Sequence, residues 1–177
     1  MRVFWRQGYE GATLPELTRA MRINRPSMYA AFGNKEQLFR AVLDRYASHA
    51  CAHLHRALAE STARRVARAL LRGTAEQLSD AKHPAGCLLV QGGLACGADA
   101  ACIQRELAHR RAMGEAAIRK RFERAARDGD LPANTKPSDL ARYIATVQQG
   151  MSVQAVGRAT RRQLMQVAEL ALRAWPE

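Results

Sequence analysis

The sequence has little that would support a sheet, a disulfide framework or a membrane span. Aromatic residues make up 6% of the chain, and valine, isoleucine and threonine never alternate over a useful length, so we expect no β-sheet. Its four cysteines form no CxxC pair and accompany no histidines at zinc spacing. No apolar run approaches the ~20 residues of a transmembrane helix. We therefore expect a cytoplasmic protein with reduced thiols and without a metal, a cofactor or a membrane partner.

Acidic residues are also scarce, because 16 of them face 28 basic residues that are mostly arginine. The formal net charge is +12 and the isoelectric point is about 10.6. Such a charge favours a polyanionic partner, and nucleic acid is the first candidate. The alternative explanation is an arginine-rich coding bias without a binding role.

What the sequence does contain is helix-forming residues in amphipathic spacing, so we expect an all-α fold. Capping pairs predict where several helices begin: Thr13 with Glu16, Asn34 with Gln37, and Thr160 with Gln163. Asn24 and Asp99 are expected as single caps. The pattern predicts nine helices, over residues 2–7, 13–21, 24–32, 35–59, 62–78, 88–95, 99–127, 138–156 and 160–174.

Residues 13–32 predict a helix-turn-helix, because two short helices joined by only three residues must cross steeply. The second helix would then be held by its neighbour and exposed on its other side, as the major groove of DNA requires. Arg25 is suited to a bidentate contact with guanine, and Ser27, beside Pro26, to a base or a phosphate. Each of these residues alone is unremarkable, and the prediction depends on their combination.

Phosphate contacts are predicted on both sides of that helix. The candidates are Tyr29 through its hydroxyl, Lys35 at a helix N-terminus, and Thr13 at the start of the preceding helix. Taken singly, Tyr29 is more often a core residue and Lys35 a solvated charge.

The runs Gly8-Tyr9-Glu10-Gly11-Ala12-Thr13-Leu14 and Met28-Tyr29-Ala30-Ala31-Phe32-Gly33-Asn34-Lys35-Glu36-Gln37-Leu38 resemble the DNA-binding signature of the tetracycline-repressor (TetR) family. The resemblance covers about residues 3–45. It implies a helix-turn-helix domain over residues 1–45 and an effector-binding and dimerisation domain over residues 46–177. It also implies a cytoplasmic homodimer that binds a palindromic operator in double-stranded DNA and releases it on binding a small molecule. The positions that commonly touch DNA in this family are Thr13, Arg25, Pro26, Ser27, Tyr29 and Lys35.

The chain departs from the family pattern in three places. Its first helix is shorter than usual, Ala12 replaces a frequent threonine, and Arg22 stands in the turn where the family often has glycine. If that turn needs a left-handed backbone, Arg22 costs about 1–2 kcal/mol.

The body of the chain carries two further predicted sites. Apolar stripes on the last two helices predict a dimer interface formed by Tyr143, Val147, Met151, Leu164, Val167 and Ala171, unless these stripes only face their own core. An effector pocket is predicted from polar residues on largely apolar faces, namely Gln91, Arg111, Tyr143 and Gln148. Arg111 has the alternative of an ion pair with Glu115. His53 is expected to be a core histidine with its hydrogen bonds satisfied.

The sequence bears on three other functions. An enzyme using Cys87 or Cys102 with His83 or His109 is not favoured, since no nucleophile elbow, carboxylate pair or phosphate loop accompanies them. A helical ligand- or partner-binding dimer that has lost DNA binding remains an alternative, supported by the short first helix. A thiol-switched regulator using Cys51, Cys87, Cys96 or Cys102 is the third.

Overall fold

The computed structural model describes residues 1–93, 97 and 100–176, with only the backbone of residues 49–51. The described residues are helical and contain no strand. Their helices are α1 (Arg2–Gly11), α2 (Leu14–Met21), α3 (Arg25–Phe32), α4 (Lys35–Leu58), α5 (Ala63–Leu78), α6 (Leu88–Gln91), α7 (Ala101–Arg127), α8 (Pro137–Val156) and α9 (Arg161–Arg173). The all-α prediction is confirmed. Across the described part of the chain, none of these helices combines the length and the apolarity that a bilayer crossing demands.

The predicted caps are present at four helix starts. Thr13 with Glu16, Asn34 with Gln37, and Thr160 with Gln163 each form the reciprocal capping box, and the Asn24 side chain accepts from the backbone N–H of Ser27. Each cap satisfies backbone donors that a helix cannot pair internally, which is worth about 1 kcal/mol. Local side-chain chemistry therefore sets where these helices begin.

Two predicted features fall partly outside the described residues. The expected cap Asp99 lies there, and α7 begins at Ala101 with Ala100 at its N-cap position. The predicted end of the short helix at residue 95 lies there too, and the described helix α6 ends at Gln91. At the other end of the chain, α1 continues past Gly8 to Gly11, and Gly8 itself is a kink with φ 71° and ψ −174°.

The core consists of two apolar clusters. One joins α5, α8 and α9 to the second half of α7, with Phe122 and Trp175 in edge contact at 5.4 Å. The other joins α1–α4 to α6 and the first half of α7, with Phe4 and Phe39 at its centre. Because the second cluster includes Leu107 of α7, the helix-turn-helix packs directly on the body of the molecule.

Candidate nucleic-acid interface

The turn between α2 and α3 has the geometry that a helix-turn-helix requires. Arg22 adopts a left-handed backbone with φ 58° and ψ 39°, and its N–H donates to the carbonyl of Arg19. Leu17 of α2 and Met28 of α3 are buried in the same apolar cluster. The two helices are therefore locked together, and the strained conformation foreseen at Arg22 is confirmed.

The first turn of α3 is presented to solvent. Arg25, Pro26 and Ser27 are all exposed, whereas Met28 directly after them is fully buried. The Asn24 side chain fixes this turn by accepting from the Ser27 N–H at 2.8 Å. The guanidinium and hydroxyl groups that the sequence assigns to base contact thus lie on the outer side of a rigidly held helix.

The hydroxyls of Tyr29 and Thr13, both predicted to bind phosphates, differ in how readily they can do so. Tyr29 is 45% exposed, so its hydroxyl is available to a phosphate beside the groove. Thr13 is also exposed, but its hydroxyl donates to the Glu16 carboxylate at 2.7 Å, which lowers the pKa of Glu16. A phosphate contact at Thr13 therefore requires its hydroxyl proton to turn away from Glu16.

Lys35 is held in place by α1. Its ammonium donates to the carbonyl of Glu10 at 3.3 Å and lies 4.8 Å from the centre of the Tyr9 ring. A cation over an aromatic face is stabilised by the ring quadrupole. The role of Tyr9 as a platform was missed from the sequence, although Gly8-Tyr9 belongs to the signature that carried the resemblance. The arrangement fixes a positive charge at the N-terminus of α4.

An alternating chain of charges connects the start of α4 to α7. Arg40 pairs with Glu36 and with Glu106, both at 3.0 Å, and Arg110 pairs with Glu106 at 2.7 Å and with Asp44 at 2.6 Å. Hydrogen bonds from Arg110 hold the pKa of Glu106 below its usual range. This network ties the helix that follows the DNA-facing segment to the longest helix of the body.

The four residues predicted for an effector pocket each make a separate hydrogen bond. Gln148 donates to Thr74 at 2.7 Å, Tyr143 to the Ala171 carbonyl at 3.3 Å, and Gln91 to the Ala85 carbonyl at 3.5 Å. Arg111 turns inward to the Leu89 carbonyl, while Glu115 pairs with Arg142, so the alternative Arg111–Glu115 pair is not what forms. Two cavities of the described residues, of about 360 and 300 Å³ beside α4 and α5, are lined by none of the four.

The predicted dimer interface divides into two groups. Met151, Leu164 and Ala171 are buried in the core of their own chain, so their assignment to a contact surface is wrong. Tyr143 and Val167 are exposed on α8 and α9, and Val147 is half-buried against the same core. The stripes of these helices therefore face inward, and only their outer edges are open to another molecule.

The prediction for His53 is wrong in one respect. The ring is half-buried on α4 as expected, but its Nε2 atom is buried without a hydrogen-bond partner. Burial lowers the pKa of this histidine, and a hydrogen bond to the Leu70 carbonyl only partly opposes the effect. Periodicity places a residue on a helix face, but it does not show whether both ring nitrogens find partners.

The cysteines of the thiol-switch alternative are only partly visible. Cys87 and Cys102 are half-buried free thiols, the former accepting from the Tyr46 hydroxyl at 3.2 Å and the latter lying 3.5 Å from Glu36. Burial, and then the neighbouring Cys87, raise the pKa of Tyr46. The side chain of Cys51 and all of Cys96 lie outside the described residues.

A rigid α2–α3 pair with an exposed, basic first turn, flanked by a lysine at the next helix start, defines the class of helix-turn-helix DNA-binding proteins. Residues 1–42 match the family model of bacterial regulatory proteins of the tetR family. The chain is also 34% identical over 180 residues to the HTH-type transcriptional repressor ComR of Escherichia coli (strain K12), an alignment covering 100% of this chain and 85% of ComR. The chain belongs to the TetR family.

Solved structures give the same picture. A cysteine-substituted form of the TetR family transcriptional regulator CifR, solved with a 26-base-pair operator DNA, is 41% identical with a TM-score of 0.95 and covers 99% of this chain and 92% of its own. A TetR regulator from Rhodococcus sp. RHA1 is also 41% identical, with a TM-score of 0.68 over 100% of this chain and 95% of its own. The nine-helix arrangement of the described residues is thus that of the family.

Proposed function

We propose that this protein is a transcriptional repressor that binds a palindromic operator as a homodimer and releases it when a small molecule binds. The observation that carries the proposal is the exposed first turn of α3, with Arg25 and Ser27 outward, together with the fixed ammonium of Lys35 at the start of the next helix. A helix presented in this way fits the major groove, and charges beside it fit the phosphates. Residues 1–45 would read DNA and residues 46–177 would bind the effector and the partner copy.

The outer face of α8 and α9 supports a homodimer. Its residues are uncharged and exposed or half-buried: Tyr143, Val147, Gly150 and Gln154 on α8, Gln163, Val167 and Leu170 on α9, and Ala174 directly after α9. In a chain with net charge +12, an uncharged helical face is where two copies approach with least repulsion. A twofold dimer would place two α3 helices at half-sites about 34–36 Å apart.

The proposal is tested by gel-shift titration of the protein against the intergenic DNA upstream of its own gene. We expect Arg25→Ala to relax sequence preference, with an affinity loss of about 1–3 kcal/mol on the preferred site and little loss on other sequences. Lys35→Ala should weaken binding to every sequence and reduce the salt dependence by about one ion, because it removes one phosphate contact. Arg162→Ala, an exposed arginine of α9, is the matched control and should change neither.

Unchanged preference in Arg25→Ala would show that α3 is not the reading helix. If the unsubstituted protein binds no duplex, or shifts DNA only weakly and without dependence on salt, the alternative of a helical dimer without DNA binding is favoured instead.

A further inference from the structure

One cavity of the described residues lies where the DNA-binding end of the molecule meets its body. It has a volume of about 360 Å³ and is bounded by α1, α4, α5 and the segment between α5 and α6. None of the DNA-contact, pocket or dimer residues predicted from the sequence lines it. A cavity that touches both α1 and α5 is placed so that its contents affect how the two parts of the molecule sit together.

One end of this cavity is aromatic. Trp5 of α1 is stacked on His83 with centres 5.7 Å apart and planes 11° apart, and it meets Tyr46 of α4 edge-on at 4.8 Å. The indole N–H donates to the Gly86 carbonyl, which fixes the ring. Rings of this kind attract organic cations, with Trp the strongest partner.

The cavity also carries two carboxylates, which is unusual in a chain of net charge +12. Asp80, just after α5, and Glu76 of α5 both line it. Asp80 lies 4.0 Å from the His83 ring, and Glu76 pairs with the exposed Arg161 at 3.2 Å. A carboxylate beside aromatic rings, with a second in the same cavity, favours a positively charged ligand over a neutral or anionic one.

A basic residue lies away from Asp80, so the cavity has a direction. Arg56 lines it and, together with Glu76, also lines the adjoining cavity of about 300 Å³, to which Arg72 belongs. Arg72 is already paired with Glu169 at 2.7 Å. A ligand with one amine would therefore place its charge at the Asp80 end and its neutral part toward Arg56.

His53 forms the wall shared by the two cavities. Its ring fits against α5 only because residue 73 is glycine, since a Cβ there would lie 1.9 Å from the ring Cε1. The buried Nε2 has no partner, which is unfavourable for a buried polar atom. The contact between α4 and α5 is thus incompletely satisfied at the centre of the cavity, and a ligand that turns the ring supplies Nε2 with the donor it lacks.

We propose that this cavity binds a small organic amine with an apolar body, and that its occupancy weakens operator binding. The inference rests on the proposed repressor function and names the ligand class and the place where it acts. The amine would lie between Trp5 and the carboxylates of Asp80 and Glu76. Because Trp5 shares a core with Met28 of α3, displacing it shifts the reading helix relative to α5.

The test uses benzylamine, which is charged at neutral pH, and benzyl alcohol, which has the same size without charge. Calorimetry on the unsubstituted protein, and Trp5 fluorescence in a Trp175→Phe variant, should both show saturable binding of benzylamine at least tenfold tighter than that of the alcohol. The double variant Glu76→Gln/Asp80→Asn should lose that preference. Glu123→Gln/Asp128→Asn, which makes the same charge change at exposed residues of α7 and its C-terminal end, should keep it.

Operator binding is then measured with and without benzylamine. The amine should weaken operator binding by the unsubstituted protein at least tenfold and leave that of Glu76→Gln/Asp80→Asn unchanged. Equal binding of amine and alcohol, or a preference that survives in this variant, would overturn the site. Amine binding without an effect on the operator would overturn its regulatory role. Absence of operator binding before any amine is added would contradict the proposed repressor and not the amine site.

Discussion

Arg22 is a residue whose backbone carries a measurable cost. It lies in the left-handed region with φ 58°, which an L-residue other than glycine adopts at about 1–2 kcal/mol. Glycine removes that strain but gives the unfolded chain more freedom. Arg22→Gly should therefore raise the free energy of unfolding by about 0.5–1 kcal/mol in denaturant titration.

Arg19→Gly is the contrasting change, three residues earlier and inside α2. Glycine in a helix interior lowers stability, here by about 1 kcal/mol. Equal destabilisation by both substitutions would mean that the turn at Arg22 is not strained.

His53 gives the molecule a pH-dependent stability. Burial lowers its folded pKa, so the unfolded chain binds a proton more readily than the folded one. Stability is then complete above the ordinary histidine pKa and falls as the pH drops through it toward the lowered folded pKa. The slope from this one group is at most about 1.4 kcal/mol per pH unit. The unfolding temperature, measured between pH 7.5 and 5, should depend less on pH in His53→Phe than in the unsubstituted protein.

The exposed neighbour His55 is the control for that experiment, because it lies on the solvent side of the same helix. His55→Phe should keep the full pH dependence of the unsubstituted protein. If both variants behave alike, the acid sensitivity belongs to other groups.

At the scale of the helices, local capping residues predicted the structure more accurately than the periodic spacing of apolar residues did. Thr13, Asn24, Asn34 and Thr160 cap their helices as expected, because a cap depends on a few neighbouring residues. The prediction that Met151 belongs to the dimer interface was wrong, because helical spacing shows which residues share a face and not which partner covers that face.

The same limit applies to the sites. Arg25 and Ser27 were placed correctly outward because the short turn leaves α3 only one way to pack. The predicted pocket residues each make a hydrogen bond within their own surroundings, as Gln148 does with Thr74, and their common pocket stays a prediction. The cavity at Trp5 joins segments about eighty residues apart, and single-helix patterns carry no signal for such a meeting.

The ion-pair network between α4 and α7 should contribute stability through Glu106. This carboxylate accepts from both Arg40 and Arg110 and is mostly shielded from solvent. Glu106→Gln should lower the free energy of unfolding by about 1 kcal/mol, because charge-assisted hydrogen bonds are lost while screening limits their value. Since the pKa of Glu106 is lowered in the folded state, the contribution is present above the ordinary glutamate pKa and disappears as the pH falls through the folded value.

Chemical denaturation at pH 7 measures this loss. Glu123→Gln, which removes an exposed pair with Arg119, should cost less than about 0.5 kcal/mol. A cost for Glu106→Gln no larger than that of the control would exclude the network as a link between the two helices.

For the whole molecule, the proposed dimer depends on the uncharged face of α8 and α9. Leu170 at its centre is 59% exposed. Leu170→Arg should place two like charges against each other across a twofold axis, which disfavours association. Sedimentation at micromolar concentration should show the unsubstituted protein as a dimer and the variant shifted to monomer, with operator affinity reduced as well.

Met113→Arg is the matched control, since Met113 of α7 is equally exposed at 60% and lies outside that face. It should remain dimeric. If Leu170→Arg also remains dimeric, the copies associate through a different surface.

One hydrogen bond bears on the order in which the chain matures. The backbone N–H at the start of α5, on Ala63, donates to the side chain of Asp130, sixty-seven positions later. During synthesis this one donor of the first turn consequently waits for a residue that leaves the ribosome only after α7 is complete, while Thr62 already caps the N–H of Arg65. In a nascent chain halted before position 130, the arginine-rich beginning of α5 should therefore be more open to proteases than in the complete chain.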